Sequence, residues 1–220
     1  MPSTLSVFIA GGTGYLGTPL IRTLVERGHQ VRALVRPGSE RKLPPGCEAV
    51  VGDALDFASY ENQIRPSHTF VQLVGVSHPN PSKAAEFQAI DRASALGAVD
   101  AASRAGIQHF IYLSVAQPAP MMKSYIVVRA ECEAALRKSG LNVTIVRPWY
   151  VLGRGHRWPY VLLPMYWICE QIPSTREGAR RLGLVTLDQM TRTLGSAIEN
   201  PCLGARLVEV PQIRTGAVTL

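Results

Sequence analysis

The sequence predicts an α/β fold, a doubly wound parallel sheet with helices on both faces and a small C-terminal region. Three observations lead there. Short apolar runs rich in strand formers alternate with longer runs whose apolar residues fall three or four apart. Glycines at 11, 12, 14 and 17 stand directly between the first strand and the first helix. Gly or Pro punctuates most of the boundaries.

In chain order, residues 5–10 read as a buried parallel strand. Residues 18–26 are helical through Leu20, Ile21, Leu24 and Val25, with Gly28 as the C-terminal cap. Strands follow at 31–35 and, beyond Pro37, Gly38, Pro44, Pro45 and Gly46, at 48–51, with a short helix at 55–64. The fourth strand takes 69–74. A long helix over 82–104, closed by Gly106, is apolar mainly through alanine, which lets it lie close to the sheet. A fifth strand is expected at 108–113, a helix at 122–138 and a sixth strand at 142–146, stopped by Pro148.

Beyond this alternation the chain changes character, so the dinucleotide-binding core is taken as 1–148. Residues 149–220 are taken as a small substrate-side region completing the same compact unit. That region is expected to fold against the open end of the sheet, with a strand near 182–185, a helix over Leu187–Glu199 and a strand at 206–210. The aromatic stretch 158–169 is too short and too proline-rich to span a bilayer. Pocket wall or dimer contact is the first reading of it, ahead of core packing and an interfacial segment.

The formal net charge of +7 is spread along the chain without the aromatic ladder of a nucleic-acid groove, so no nucleic-acid partner is expected. Four cysteines at 47, 132, 169 and 202 form no CxxC pair and read as reduced thiols. The first residues carry no basic leader and run straight into a strand. A cytoplasmic protein, monomer or homodimer, is the expectation. No histidine or carboxylate spacing suggests a metal. His109 reads as structural, and His78 lies on the cofactor side without a catalytic pattern around it.

The loop Gly11-Gly12-Thr13-Gly14-Tyr15-Leu16-Gly17 places three glycines three apart between a strand and a helix. Gly11 allows the tight turn, Gly14 lets the backbone approach a pyrophosphate, and Gly17 lets the helix pack on the sheet. The phosphates of a dinucleotide would sit on the helix N-terminus. At the end of the second strand an NAD site would carry an acid for the ribose hydroxyls, but Arg36 stands there, followed by Arg41 and Lys42. A guanidinium holds a 2′-phosphate that a carboxylate would repel, so NADP is the expected cofactor. Asp53 is placed either to bind an adenine amino group or to cap the segment after it.

Ser114 ends the fifth strand, and Tyr125 and Arg129 share a helix face four residues apart. For carbonyl reduction a phenol donates the proton, a hydroxyl steadies the carbonyl oxygen and a cation assists the phenol. Ser114, Tyr125 and Arg129 are therefore the candidate catalytic set.

These segments, GGTGYLG at 11–17, VRALVR at 31–36, GD at 52–53, AGIQHFIYLS at 105–114, YIVVRAECEAALRKSGLNVTIVRP at 125–148 and LVTLDQM at 184–190, resemble those of atypical short-chain dehydrogenases/reductases. The similarity is to the NmrA-like and NAD(P)H-binding groups, and it implies a Rossmann-type fold. It further implies that Gly11, Thr13, Gly14, Tyr15, Leu16 and Gly17 form the cofactor loop and that Arg36 selects the 2′-phosphate. By the same resemblance Asp53 contacts adenine, Val74 and Gly75 pass beside the cofactor, Pro148 lines the nicotinamide end, and Ser114 and Tyr125 match active-site positions. The family's YxxxK motif reads here Tyr125-Ile126-Val127-Val128-Arg129, with arginine for lysine.

Two functions follow. One is an NADP-dependent oxidoreductase acting on a small carbonyl or alcohol, with Trp149, Tyr150, Trp158 and Tyr160 walling the substrate side. The other is a non-catalytic NADP-binding sensor, assembly factor or interaction module.

Overall fold

The structure, a computed structural model, describes residues 4–76, 79–153 and 161–216. Strands β1 (Ser6–Ala10), β2 (Gln30–Val35), β3 (Cys47–Val51), β4 (Thr69–Gln72), β5 (His109–Leu113), β6 (Asn142–Arg147) and β9 (Ala205–Glu209) form one seven-stranded sheet. Its order is β3-β2-β1-β4-β5-β6-β9 and every pairing is parallel. Two further strands, β7 (Tyr150–Leu152) and β8 (Leu184–Thr186), pair with each other in parallel. The chain order reverses beside β1, where β2 lies on one side and β4 on the other, and that reversal opens a crevice at the carboxyl ends of these strands.

Side-chain alternation divides the core between the two faces. Phe8, Phe70 and Phe110 stand in register on β1, β4 and β5, with successive ring centroids 5.1 Å apart. Against this ladder lies α3 (Ala93–Ala105), whose Ala95, Ala98, Ala101 and Ala102 are buried. Small residues opposite three large rings fill the layer without overpacking. On the other face Val7, Ile9, Val71 and Ile111 meet Leu20, Ile21 and Leu24 of α1 (Gly17–Glu26) and Met190 and Leu194 of α7 (Leu187–Glu199). The N-terminus of α7 carries a capping box, Thr186 with Gln189.

The strand and helix order over the first six sheet strands agrees with the sequence reading, and Gly28 and Gly106 close their helices at φ +81 and +76. Several elements differ. The region at 55–64 is two short 3-10 turns, Phe57–Ser59 and Glu61–Gln63, because Asp53 and Ser59 tie its backbone into local turns. The expected long helix is interrupted: a 3-10 turn, Pro81–Lys83, leads into α2 (Ala84–Glu86), then a π-turn, Phe87–Arg92, and then α3.

The C-terminal region does not simply cover the open end of the sheet. Its β9 pairs with β6 and extends the sheet, which moves the second half of the chain into the same core. Helices α4 (Lys123–Lys138), α5 (Leu163–Gln171), α6 (Pro173–Arg181) and α8 (Val210–Thr215) complete the fold. The core-packing reading of the aromatic stretch is overturned for its described part, since no residue of α5 is buried. Trp158 and Tyr160 lie outside the described residues, as does His78. Among the described residues no helix is long and apolar enough to cross a membrane.

Candidate cofactor and active site

The crevice beside β1 is a cleft of about 490 Å³. Of the positions expected at the cofactor, Gly11, Thr13, Gly14, Arg36, Asp53, Val74 and Gly75 line it, whereas Tyr15, Leu16, Gly17 and Pro148 do not. Gly11 has φ +90, and a Cβ there would stand 3.0 Å from the Leu73 carbonyl carbon, so the loop touches the exit of β4 with no room for a side chain. The Gly14 N–H donates to the Gly11 carbonyl at 3.1 Å. Gly17 lies behind the loop rather than in the cleft, and a Cβ on it would collide with the Gly11 oxygen. No side chain caps the start of α1 and its first turn holds no acid, so its positive end faces the loop unopposed. A backbone cradle that any Cβ would fill, above an uncapped helix start, fits a pyrophosphate.

Arg36 is exposed at the rim, and no carboxylate pairs with it among the described residues. It opens the turn Arg36-Pro37-Gly38-Ser39, closed by the Ser39 N–H on the Arg36 carbonyl at 3.0 Å, with Gly38 at φ +79. That turn returns Ser39 beside Arg36, and both line the cleft. Asp53 lines the cleft, and its Oδ1 accepts the Leu55 N–H at 2.9 Å, holding the turn that shapes the cleft wall. Tyr15 places its hydroxyl against Gly153, and Leu16 is packed on the apolar cluster beneath the loop. Pro148 is buried at the exit of β6, its carbonyl accepting the Ala116 N–H at 2.8 Å.

None of Ser114, Tyr125 and Arg129 lines this cleft. Tyr125 and Arg129 are brought together on α4: the guanidinium carbon lies 5.0 Å from the Tyr125 ring centroid, and that ring packs on Phe87 at 4.9 Å. Arg129 approaches the cofactor cleft from behind. Its Nη1 donates to the Tyr112 hydroxyl at 3.1 Å and the Leu113 carbonyl at 2.7 Å, and its Nη2 donates to Asp91 Oδ1. The other Asp91 oxygen accepts the Val76 N–H at 3.0 Å. A Cβ on Gly75 would collide with Nη2, so the cleft-lining backbone rests directly on the ion pair.

Burial opposes the Arg129 charge, but Tyr112, Tyr125 and Asp91 outweigh it and keep the guanidinium protonated well above its ordinary range. Burial pushes Asp91 up, against the pull of Arg129 and the Val76 N–H.

Ser114 faces a different neighbour. Its hydroxyl donates to Glu133 at 2.6 Å, and the same buried carboxylate accepts from Gln117 and Arg147, both at 2.9 Å. Among the described residues no hydrogen bond joins Ser114 to Tyr125. A hydroxyl whose proton is given to a carboxylate presents lone pairs to other groups, so it acts toward them as an acceptor.

A family model for NAD(P)H-binding proteins matches residues 11–160. The chain belongs to the NAD(P)H-binding family. Its relatives include a ceramide reductase of Caulobacter vibrioides, 25% identical over 97% of this chain and 66% of that protein. They also include the photosystem II assembly factor Ycf39 of Cyanophora paradoxa, 27% identical over 65% of this chain and 44% of that protein. The chain thus spans less than two thirds of the length of each. Among solved structures, the Bordetella bronchiseptica enzyme WbmH in complex with NAD+ superposes with a TM-score of 0.70 at 22% identity. That match covers 92% of this chain and 75% of that one. UDP-N-acetylglucosamine 4-epimerase from Bacillus cereus gives 0.69 at 17%, over 94% and 79%. The shared architecture is the Rossmann-type α/β fold with its parallel sheet.

For this NAD(P)H-binding protein, sequence reading missed Ser39, Lys83 and Asp91. The Arg-Pro-Gly-Ser turn is a legible signal for Ser39, since residue four of such a turn lies beside residue one. Lys83 ends the 3-10 turn begun by the Asn80 cap, and with Glu86 and Ile90 it forms the far wall of the cleft. Asp91 had no local signal, because its partner Arg129 is 38 residues away.

Proposed function

We propose that the protein is an NADP(H)-dependent oxidoreductase acting on a small carbonyl or alcohol. The observation that carries the cofactor choice is Arg36, uncompensated by any carboxylate among the described residues, turned back beside Ser39 at the cleft rim. Arg36 would hold the 2′-phosphate bidentately with the Ser39 hydroxyl beside it. Gly11, Thr13 and Gly14 would carry the pyrophosphate with the α1 start, Asp53 the adenine, and Val74, Gly75 and Pro148 the nicotinamide end. When bound, the nicotinamide supplies or accepts a hydride. Tyr125 would move the proton, with the Arg129 charge at its ring, and Ser114 would accept a hydrogen bond from a substrate hydroxyl. The NmrA-like grouping is part of the same reading and is supported by the GGTGYLG loop and the arginine that ends VRALVR. The reductase reading is supported further by the ceramide reductase match along nearly the whole chain.

A second reading, a non-catalytic NADP-binding sensor or assembly module, is favoured by one specific arrangement. Arg129, although it lies over the Tyr125 ring, is locked to Asp91, and Ser114 is tied to Glu133 with no hydrogen bond to Tyr125 among the described residues. The assembly-factor relative is consistent with it.

Titration with NADPH and NADH, followed by a carbonyl-substrate screen of wild type and Tyr125→Phe, separates the readings. NADPH preference with turnover lost in Tyr125→Phe supports the oxidoreductase. Binding without turnover on any carbonyl supports the module, and a preference for NADH overturns the Arg36 assignment.

A further inference from the structure

Helix α5 is apolar over most of its circumference, yet no residue of it is buried. Val161, just ahead of it, with Met165, Ile168 and Ile172, recurs at a spacing of four, three and four. All are exposed, and Trp167 beside them is 68% exposed. The polar contacts point inward instead. Glu170 on the sheltered side takes the Arg214 guanidinium at 2.8 Å, and Tyr166 on that side is half-buried, burial pushing its phenol up. A continuous apolar stripe of this kind marks a surface that something apolar covers.

The adjoining helix supplies the charge. The Arg176 guanidinium donates to the Glu170 and Gln171 carbonyls at the end of α5 at 3.0 and 3.2 Å, which ties α6 to the stripe. Arg180 lies one turn further along the same face, exposed and with no carboxylate partner among the described residues. Arg176, Arg180 and Arg181 edge a shared cleft of about 520 Å³ beside Glu177 and Glu209. The whole chain carries a net charge of +7. Arg181 pairs with Glu177 at 3.5 Å, which leaves Arg176 and Arg180 without a carboxylate among the described residues. Tryptophan and aliphatic side chains next to such arginines suit a helix that lies in a headgroup layer. A second copy of the chain meeting the same patch would bring a second set of these arginines to it, whereas an anionic surface complements them.

We propose that α5, with the arginines of α6, is an interfacial anchor that seats the protein on a membrane rich in anionic phospholipid. The helix lies in the headgroup layer, its apolar stripe buried in the acyl boundary, and does not cross the bilayer. The anchor does not depend on the nucleotide chemistry.

The test is vesicle flotation of the full chain, with vesicles of phosphatidylcholine alone and of equal parts phosphatidylcholine and phosphatidylglycerol. Wild type is expected to float with the anionic vesicles at low salt and to be released at high salt. Trp167→Ser combined with Ile168→Gln is expected to lower the partition coefficient at least tenfold. Arg180→Glu is expected to lower it roughly tenfold at low salt, with the difference shrinking at high salt. NADPH titration of the same variants should be unchanged, which certifies the fold and separates this proposal from the cofactor assignment. The proposal is overturned if wild type stays unbound with anionic vesicles, or if the Trp167/Ile168 variant floats as well as wild type. It is equally overturned if sedimentation shows a dimer that Ile168→Gln dissolves while vesicles capture neither form.

Discussion

Arg129 and Asp91 form a buried ion pair beneath Gly75, their side chains 4% and 0% exposed. The pair joins α4 to the π-turn and, through the Val76 N–H, to the wall of the cofactor cleft. Arg129 therefore acts as a strut that reaches the carboxyl end of β5 and the loop after β4 at once. A single ammonium could not satisfy the Tyr112, Leu113 and Asp91 acceptors together.

Removing one partner of that pair is the severest single change expected. Asp91→Ala leaves a buried guanidinium unpaired and should cost about 3–5 kcal/mol. Asp91→Asn, which retains an acceptor for Val76, should cost less. Urea unfolding of both variants, read as a shift in midpoint at constant slope, checks the ranking.

Gly75→Ala tests whether the cleft backbone depends on the strut. Its Cβ would collide with Arg129 Nη2 and stand 2.9 Å from Asp91 Oδ1, so the segment must shift. Weaker NADPH binding is expected together with a loss of roughly 1–3 kcal/mol of stability. In a double-mutant cycle, combining Gly75→Ala with Asp91→Ala should cost less than the sum of the single changes. Strict additivity would mean that the two positions do not communicate.

At the rim, Arg36→Ala removes a charge-assisted contact worth about 1.5–3 kcal/mol. NADPH affinity should fall by about tenfold to a hundredfold while NADH affinity stays within about twofold. Fluorescence titration with both nucleotides reads this directly, and an equal loss for the two would remove Arg36 from the 2′-phosphate.

His109 gives a pH signature. It is buried, its Nε2 lies 2.8 Å from Thr144 Oγ1, and burial, helped by the nearby Arg206 charge, lowers its pKa from 6.5 to about 4. Above pH 6.5 the ring is neutral in folded and unfolded chains alike. Between that pH and about 4 only the unfolded chain takes up the proton, so stability falls as pH falls, by roughly 3 kcal/mol over the window. Denaturant midpoints measured across this range should show a smaller fall in His109→Gln than in wild type.

The sequence by itself determined the α/β class, all seven sheet strands in outline, and the cofactor loop, because each rests on local periodicity, glycine geometry or a helix start. The long helix from 82 was legible as helical, but its π-turn was not: that turn carries Asp91, whose partner Arg129 lies on another helix. Arg36 and the turn that follows it were readable because residues 36–39 fold on themselves. Tertiary structure decided the rest. It placed β9 at the edge of the sheet, where its pairing with β6 spans 62 residues from Thr144 to Arg206. It turned Ser114 toward Glu133, seated Arg129 on Asp91 beneath Gly75, and left the apolar side of α5 facing outward. Spacing within a helix fixes which residues share a face, but only the packing of other elements against it decides which face is buried and which partner each charge meets.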